Sequence, residues 1–367
     1  MSEAVEIDLR AVRFRAQPAA LLRMQGFAVS AFRYSTGIAA LTIATPVGEV
    51  TVLPFKGQQV WRAAFNGRPL TMRSMFDEPQ PTTDYLATYG AFLIHCGISA
   101  MGGPGPQDSH PLHGEMPNAR FETARLRAGS DADGPFLKLS GECTQARAFS
   151  FHYRFHSEIT LRPAATHLDI AVDVENLRPV PLELMYLAHV NFRPIDDARL
   201  LDTVADDRTG IGLRAGTPAG LQVSEAHRQL MAAWAADPAC HRHLLPGGRI
   251  DPEAVLFLQC RPDSEGWAHG MQLHADGQAD FISYRAAELP VAVRWISRLG
   301  DQDALGLILP ATSGVDGYTA EKAKGGIVTV APGGRYACRY RCGALDIAGA
   351  QALARHIKSI GRAAAGA

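Results

Sequence analysis

Residues 167–176 read HLDIAVDVEN, His167 to Asn176. Leu168, Ile170, Val172 and Val174 alternate with polar or small residues. Successive side chains of a strand point to opposite faces, so this segment reads as a strand with one face on a core and the other toward solvent. The rhythm extends in both directions. Arg120 to Ala128, Phe136 to Cys143, Ala148 to Leu161 and Leu182 to Phe192 read as strands around it. Toward the N-terminus come Phe32 to Thr36, Ile38 to Thr45, Glu49 to Pro54, Gln58 to Phe65 and Leu70 to Met75, with Asn66-Gly67 as a strong hairpin dipeptide. Toward the C-terminus come Ala254 to Cys260, His269 to Leu273, Phe281 to Arg285, Val291 to Ser297, Ala304 to Leu309 and Arg335 to Leu345. Helical spacing is confined to Pro18 to Met24, Ser224 to Ala236 and an Ala-rich amphipathic stretch from Ile347 to Ile360, followed by a GRAAAGA tail expected to fray. Short strands punctuated by turn residues predict an all-β sandwich or barrel.

Composition narrows the function classes. The chain has 367 residues, 47% of them hydrophobic, enough for a large core. A net charge of -1, with both signs interspersed, gives no electrostatic pull toward nucleic acid. No apolar run approaches the roughly 20 residues of a membrane-spanning helix. The opening MSEAVEIDLR lacks the basic and apolar regions of a secretory signal. The six cysteines are scattered, so free thiols in a reducing compartment are expected, and with them a cytoplasmic protein.

Three histidines stand out by their neighbours. His110-Pro-Leu-His113-Gly-Glu115 follows the Gly/Pro-rich stretch MGGPGPQDS. Two imidazoles and a carboxylate within six residues suit sugar hydrogen bonding, a divalent metal, or simply a structured loop. His189, in YLAHVNF with Asn191 and Phe192, sits near the end of an apolar strand. There it reads either as a core residue or as part of a sugar-binding set of imidazole, amide and aromatic face. His95, in FLIHCG, precedes the Gly-rich loop and reads equally as a pocket residue or as a buried neighbour of Cys96. No dinucleotide fingerprint, phosphate loop or G-x-S-x-G nucleophile elbow is present.

Four segments in order resemble the galactose-mutarotase (aldose 1-epimerase) family. Leu112-His113-Gly114 resembles its LHGG motif, and Ala188 to Phe192 its NH-x-YFN segment. Gly90 to His95 resembles its GA-x-x-GR strand, with His95 at the arginine. Leu307 to Thr312 and Ala331 to Gly334 resemble LEPQ and LxPGE. The likeness runs over about residues 36 to 346, and is nearest to the divergent branch of unknown function. It implies a β-supersandwich of two large antiparallel sheets over residues 36–346, with 1–35 as an N-terminal extension and 347–367 as a C-terminal helix and tail. It further implies a sugar-sized cleft and a cofactor-free reaction that opens and recloses a hemiacetal ring of a monosaccharide. His189 would be the acid, and His113 and His95 would contact substrate. Such chemistry needs an acid and a base on opposite sides of the sugar.

The family's basic glutamate is replaced by Leu309, which cannot take a proton. Glu115, Asp316 and Glu321 are the alternative carboxylates, while Asn191, Tyr318, Lys322 and Arg73 are further candidate sugar contacts. Three functions remain open on this scaffold: an aldose 1-epimerase-like isomerase, a metal-dependent sugar isomerase using His110, His113, Glu115 and His189 (with His95 beside them), and a carbohydrate-binding protein without turnover. In the metal-dependent case a divalent ion would polarise the carbonyl and hydroxyl oxygens.

Overall fold

The computed structural model describes residues 4–204, 209–214 and 223–362. Within these residues the strands form two large antiparallel sheets, of nine and thirteen strands. No helix among the described residues is long and apolar enough to cross a membrane. The chain forms two compact units. The first is Met1–Thr71, Phe76–Ala188 and Thr312–Arg341, and the second is Met72–Met75, His189–Ala311 and Cys342–Ala367.

In the first unit, His167–Asn176 is a strand as its alternation requires. Leu168, Ile170, Val172 and Val174 are at most 2% exposed, and the residues between them are half-buried. It pairs with Phe151–Leu161 from Tyr153↔Asn176 to Thr160↔Asp169, and that strand forms a long hairpin with Gly134–Arg147. Thr123–Asp131 and then Val5–Asp8 continue the sheet outward. A second run orders Leu93–Ile98, Val60–Phe65, Gly48–Val52, Ala39–Thr45, Phe27–Arg33 and Ala19–Met24 side by side. Trp61, Phe92, Phe121, Phe155 and Tyr186 are among the largest side chains fully buried in this unit.

Three local expectations are corrected, the first at Phe32 to Thr36, where the strand is instead Phe27–Arg33 and residues 34–36 lie beyond it. Ala19–Met24 is a strand, not a helix, paired with Phe27–Arg33. The intervening Gln25 and Gly26 both take positive φ, 50° and 88°, and this tight-turn geometry folds the chain back on itself before a helix can form. The N-terminal 35 residues thus contribute three strands. Leu70 to Met75 is not a continuous strand: Arg73 makes an isolated bridge to Asp303, and only Arg68–Pro69 pairs regularly, with the strand Val60–Phe65.

In the second unit, Arg199–Asp202, Trp267–Leu273 and Ala279–Arg285 lie side by side. Ile211–Leu213, Ile250–Leu258, Val291–Arg298 and Asp303–Ala311 form another antiparallel run. Helix α1, Glu225–Ala236, starts where Ser224 accepts a hydrogen bond from the His227 amide, the usual N-cap arrangement. A short helix α2, Tyr318–Ala323, belongs to the first unit. Helix α3, Ile347–Arg362, packs Ala350, Leu353, Ala354 and Ile357 against Met271, Leu273 and Ala279, so its amphipathic face is spent on the sheet. Of the tail expected to fray, residues 363–367 lie outside the described residues.

Candidate functional site

The Gly-rich loop is stitched from within. His113 adopts φ 60° and Gly114 φ 77°, and a Cβ on Gly114 would stand 2.3 Å from the Ala100 carbonyl oxygen. Glycine is needed there because backbone, rather than ligand, comes close. The His113 amide donates to Gly102 O, and its carbonyl accepts from Gly97 N. Its half-buried ring lies 4.9 Å from that of Tyr85. Glu115 is fully engaged. Oε1 accepts from the amides of Ile98 and Ser99 at 3.3 and 3.0 Å and from the Tyr153 hydroxyl at 2.5 Å, and Oε2 from Ser99 Oγ at 2.7 Å. Four bonds make it a clamp between Ile98, Ser99 and Tyr153.

His110 holds the loop to α2. Its Nδ1 is 2.8 Å from the Pro111 carbonyl, and its Nε2 accepts from the Tyr318 amide at 3.4 Å. A carbonyl oxygen only accepts, so Nδ1 is the donor of the first contact. Asp108 does the same from the other side, accepting from Gly105 N and from the Thr319 amide and hydroxyl. Its burial pushes the carboxyl up, but these bonds outweigh it and hold it below its ordinary value. Among the described residues, His110, His113 and Glu115 do not form a three-ligand group of the kind a metal needs.

Between this loop and the hairpin tip Arg147–Phe151 lies a cleft of about 800 Å³, walled also by Ser99, Arg178, Glu183 and Tyr318. Its chemistry centres on Glu183, on the strand Leu182–Val190, and on α2. The Tyr318 hydroxyl donates to Glu183 Oε2, and Lys322 Nζ lies 2.9 Å from Oε1, 3.0 Å from Oε2 and 2.9 Å from the Tyr318 oxygen. Tyr318 and Lys322 hold the Glu183 carboxyl below its ordinary range, against partial burial. Burial and the Glu183 charge push the Tyr318 hydroxyl up, and both partners push the Lys322 ammonium up. The cleft wall thus presents an ionised carboxylate and the Tyr318 hydroxyl that donates to it, with Lys322 bonded to both. On the opposite side Arg178 donates to Ser150 O, and Phe149 stands fully exposed beside Phe151.

Asp316 and Glu321 serve the fold of this loop. Glu321, 3% exposed, accepts from the amides of Gly314 and Asp316 and from Lys324, which also pairs with Asp316 at 2.7 Å. Of the expected carboxylates, none lines the cleft. Glu183 went unnoticed in the sequence, although a lone acid in the apolar run LELMYLAHV was the available signal.

The other expected residues lie elsewhere. His95 is fully buried in the first unit. Its Nδ1 is 2.7 Å from the Tyr186 hydroxyl, its ring packs edge-on to Phe155, and burial lowers its pKa to about 3. His189 and Asn191 belong to the second unit. His189 is 4% exposed, packs edge-on to Trp295, and has Nδ1 2.7 Å from Asn191 Oδ1. Burial lowers its pKa to about 4, with the Asn191 bond opposing. The ring is therefore neutral near pH 7, so the readily protonated acid expected of it is not what its surroundings make. Arg73 is an outward cation, 3.4 Å from Asp303 with its side chain 58% exposed. Leu309 is 2% exposed on Asp303–Ala311, and its side chain fills the space over Gly306.

Comparison with known proteins agrees with this architecture. Residues 35–200 match the model of a domain of unknown function, DUF4432. No curated protein matches the sequence. A candidate aldose 1-epimerase from Klebsiella pneumoniae superposes with a TM-score of 0.80 at 17% identity, over 98% of this chain and 96% of that one. A galactose mutarotase-like protein from Clostridium acetobutylicum gives 0.55 at 13% identity, over 87% and 98%. A candidate aldose 1-epimerase from Escherichia coli K12 gives 0.52 at 14%, over 83% and 97%. The chain therefore has the galactose-mutarotase-like fold. At these identities the likeness establishes architecture alone, and function rests on the site.

Proposed function

We propose that the protein is an aldose 1-epimerase-like isomerase that opens and recloses the ring of a free or modified monosaccharide in the cleft beside α2. The observation that carries this reading is the Glu183–Tyr318–Lys322 group, an ionised carboxylate touching two groups that keep their protons. Glu183 is suited to take the anomeric hydroxyl proton; Tyr318 and Lys322, bonded to it on the same side, hold it in place, and the ring oxygen takes its proton from water on the facing, open side of the cleft. Phe149 and Phe151 offer an apolar face for the sugar's C–H side, and Arg178 a hydrogen-bonding edge. The cleft is ample for a monosaccharide bearing a substituent. The family names of the Klebsiella pneumoniae and Clostridium acetobutylicum structures support the same class of reaction.

A second reading, sugar binding without turnover, is favoured by the buried leucine at position 309 and by the four hydrogen bonds that occupy Glu115. Saturation-transfer NMR over a panel of aldoses and acidic sugars separates the two. Faster anomer exchange for at least one sugar supports the isomerase. Ligand-induced thermal stabilisation without exchange supports the binding protein, and neither effect for any sugar removes both.

A further inference from the structure

The second unit holds a convergence of ligand-type side chains that the sugar chemistry does not use. Asp263 lies in the loop before the strand Trp267–Leu273, His269 on that strand, and His356 on α3. Nε2 of His269 and Nε2 of His356 each stand 3.1 Å from the same oxygen, Oδ2 of Asp263. All three ligand atoms fall within 4.8 Å of one another. We infer that Asp263, His269 and His356 bind one divalent transition-metal ion of the zinc class, which ties α3 to the sheet beneath it.

Two of the three ligand–ligand edges are close to those of a coordination shell. Zinc binds imidazole nitrogen and carboxylate oxygen at roughly 2.0–2.2 Å, which sets neighbouring tetrahedral ligands roughly 3.3–3.5 Å apart. The 3.1 Å spacings need to open by only a few tenths of an ångström to admit the ion. The surrounding bonds aim the ligands. Asp263 Oδ1 accepts from the amides of Glu265 and Trp267, both at 2.9 Å, so Oδ2 is the oxygen turned toward the histidines. His269 Nδ1 is 2.8 Å from Ser283 Oγ, the outer partner that fixes a ligating imidazole's orientation and tautomer.

The donor set names the ion. Two imidazoles and one carboxylate suit zinc and its neighbours, whereas magnesium and calcium prefer oxygen alone, and without a thiolate copper(I) has no hold. The His269 and Asp263 side chains are each 10% exposed and that of His356 is 45% exposed, so the site is reachable from solvent and a fourth position falls to water. Its mechanical meaning follows from the helix. Ala350 and Ile357 already pack on Met271 and Ala279, and the ion adds a cross-link one side of that contact.

The test uses untagged full-length protein, stripped with a chelator and titrated with Zn²⁺ alone by calorimetry, with thermal melts in parallel. One ion per chain and a rise in Tm on zinc addition are expected. His356→Ala should weaken binding by more than the roughly 10–100-fold that loss of an outer-shell partner costs, and Ser283→Ala by about tenfold. His243→Ala, at a surface histidine 3.7 Å from Asp197, should leave affinity unchanged. Circular dichroism and the zinc-free Tm report whether His356→Ala is folded. If it is not, His356→Gln takes its place. No uptake by the wild type, or uptake undiminished in the folded His356 variant, overturns the proposal.

Discussion

Nδ1 of His95 lies 2.7 Å from the phenolic oxygen of Tyr186, and both side chains are fully buried. Tyr186 in turn stands 3.0 Å from the Tyr340 hydroxyl. A buried imidazole in such a chain is cheap to hold only while neutral, and this gives the protein an acid-sensitive element.

Stability should fall as the solution is acidified below neutrality. In the unfolded chain an imidazole gains its proton near pH 6.5. In the folded protein His95 waits until about pH 3 and His189 until about pH 4. The unfolded state therefore binds more protons across that window, so stability is complete above about pH 6.5 and is lost as pH drops toward the folded values. Each pKa unit is worth about 1.4 kcal/mol, so each histidine should cost about 1.4 kcal/mol by about pH 5.5. Urea denaturation from pH 8 to 5 measures the slope, and His95→Gln should flatten it by one proton's share. A slope identical in that variant contradicts the assignment.

Glu183→Gln should abolish most of any anomer exchange while leaving the fold intact, because Glu183 is a partly exposed residue at the cleft wall. A positioned acid or base contributes roughly 10²–10⁴-fold, which sets the expected loss. With the Glu183 carboxyl held below its ordinary 4.5 and the Tyr318 hydroxyl above its ordinary 10.0, the wild-type rate should be flat across neutral pH. A bell centred near pH 6.5 would instead point to a histidine.

Glu115→Gln should act on stability. It keeps the shape but removes the charge and turns one acceptor into a donor facing the Ile98 and Ser99 amides or the Ser99 hydroxyl. Hydrogen bonds to a charged group are worth about 1.5–3 kcal/mol, so a loss of about 2 kcal/mol is expected by chemical denaturation. Unchanged stability with reduced turnover would restore the catalytic role expected from the sequence.

Leu309→Glu should not create a base. The position is 2% exposed and packed over Gly306, so the carboxylate would enter a core without a partner. A destabilisation of at least about 3 kcal/mol, or failure to fold, is expected from burying an unpaired charge. A stable variant with faster anomer exchange would contradict this expectation.

The sequence alone determined most of the long strands, because period-two alternation is a local property and HLDIAVDVEN can bury one face in only one way. It likewise determined the helix from Ile347, whose apolar stripe needs a sheet to cover it. The helix expected at Pro18 failed because a two-residue turn, Gln25-Gly26, outweighed a short Ala/Leu run.

What only tertiary structure decided is the environment of each polar side chain. Histidine and glutamate read the same in a string whether they line a cleft or lie beneath the surface. His95 is sealed by Phe155 and Tyr186, from strands far away in sequence, and Glu115 is occupied by Tyr153. Glu183 acquires its chemistry from Tyr318, 135 residues on, and Asp263 meets His356 across 93. Charge state and reach depend on desolvation and on partners that the folded chain supplies, and no local pattern carries that information.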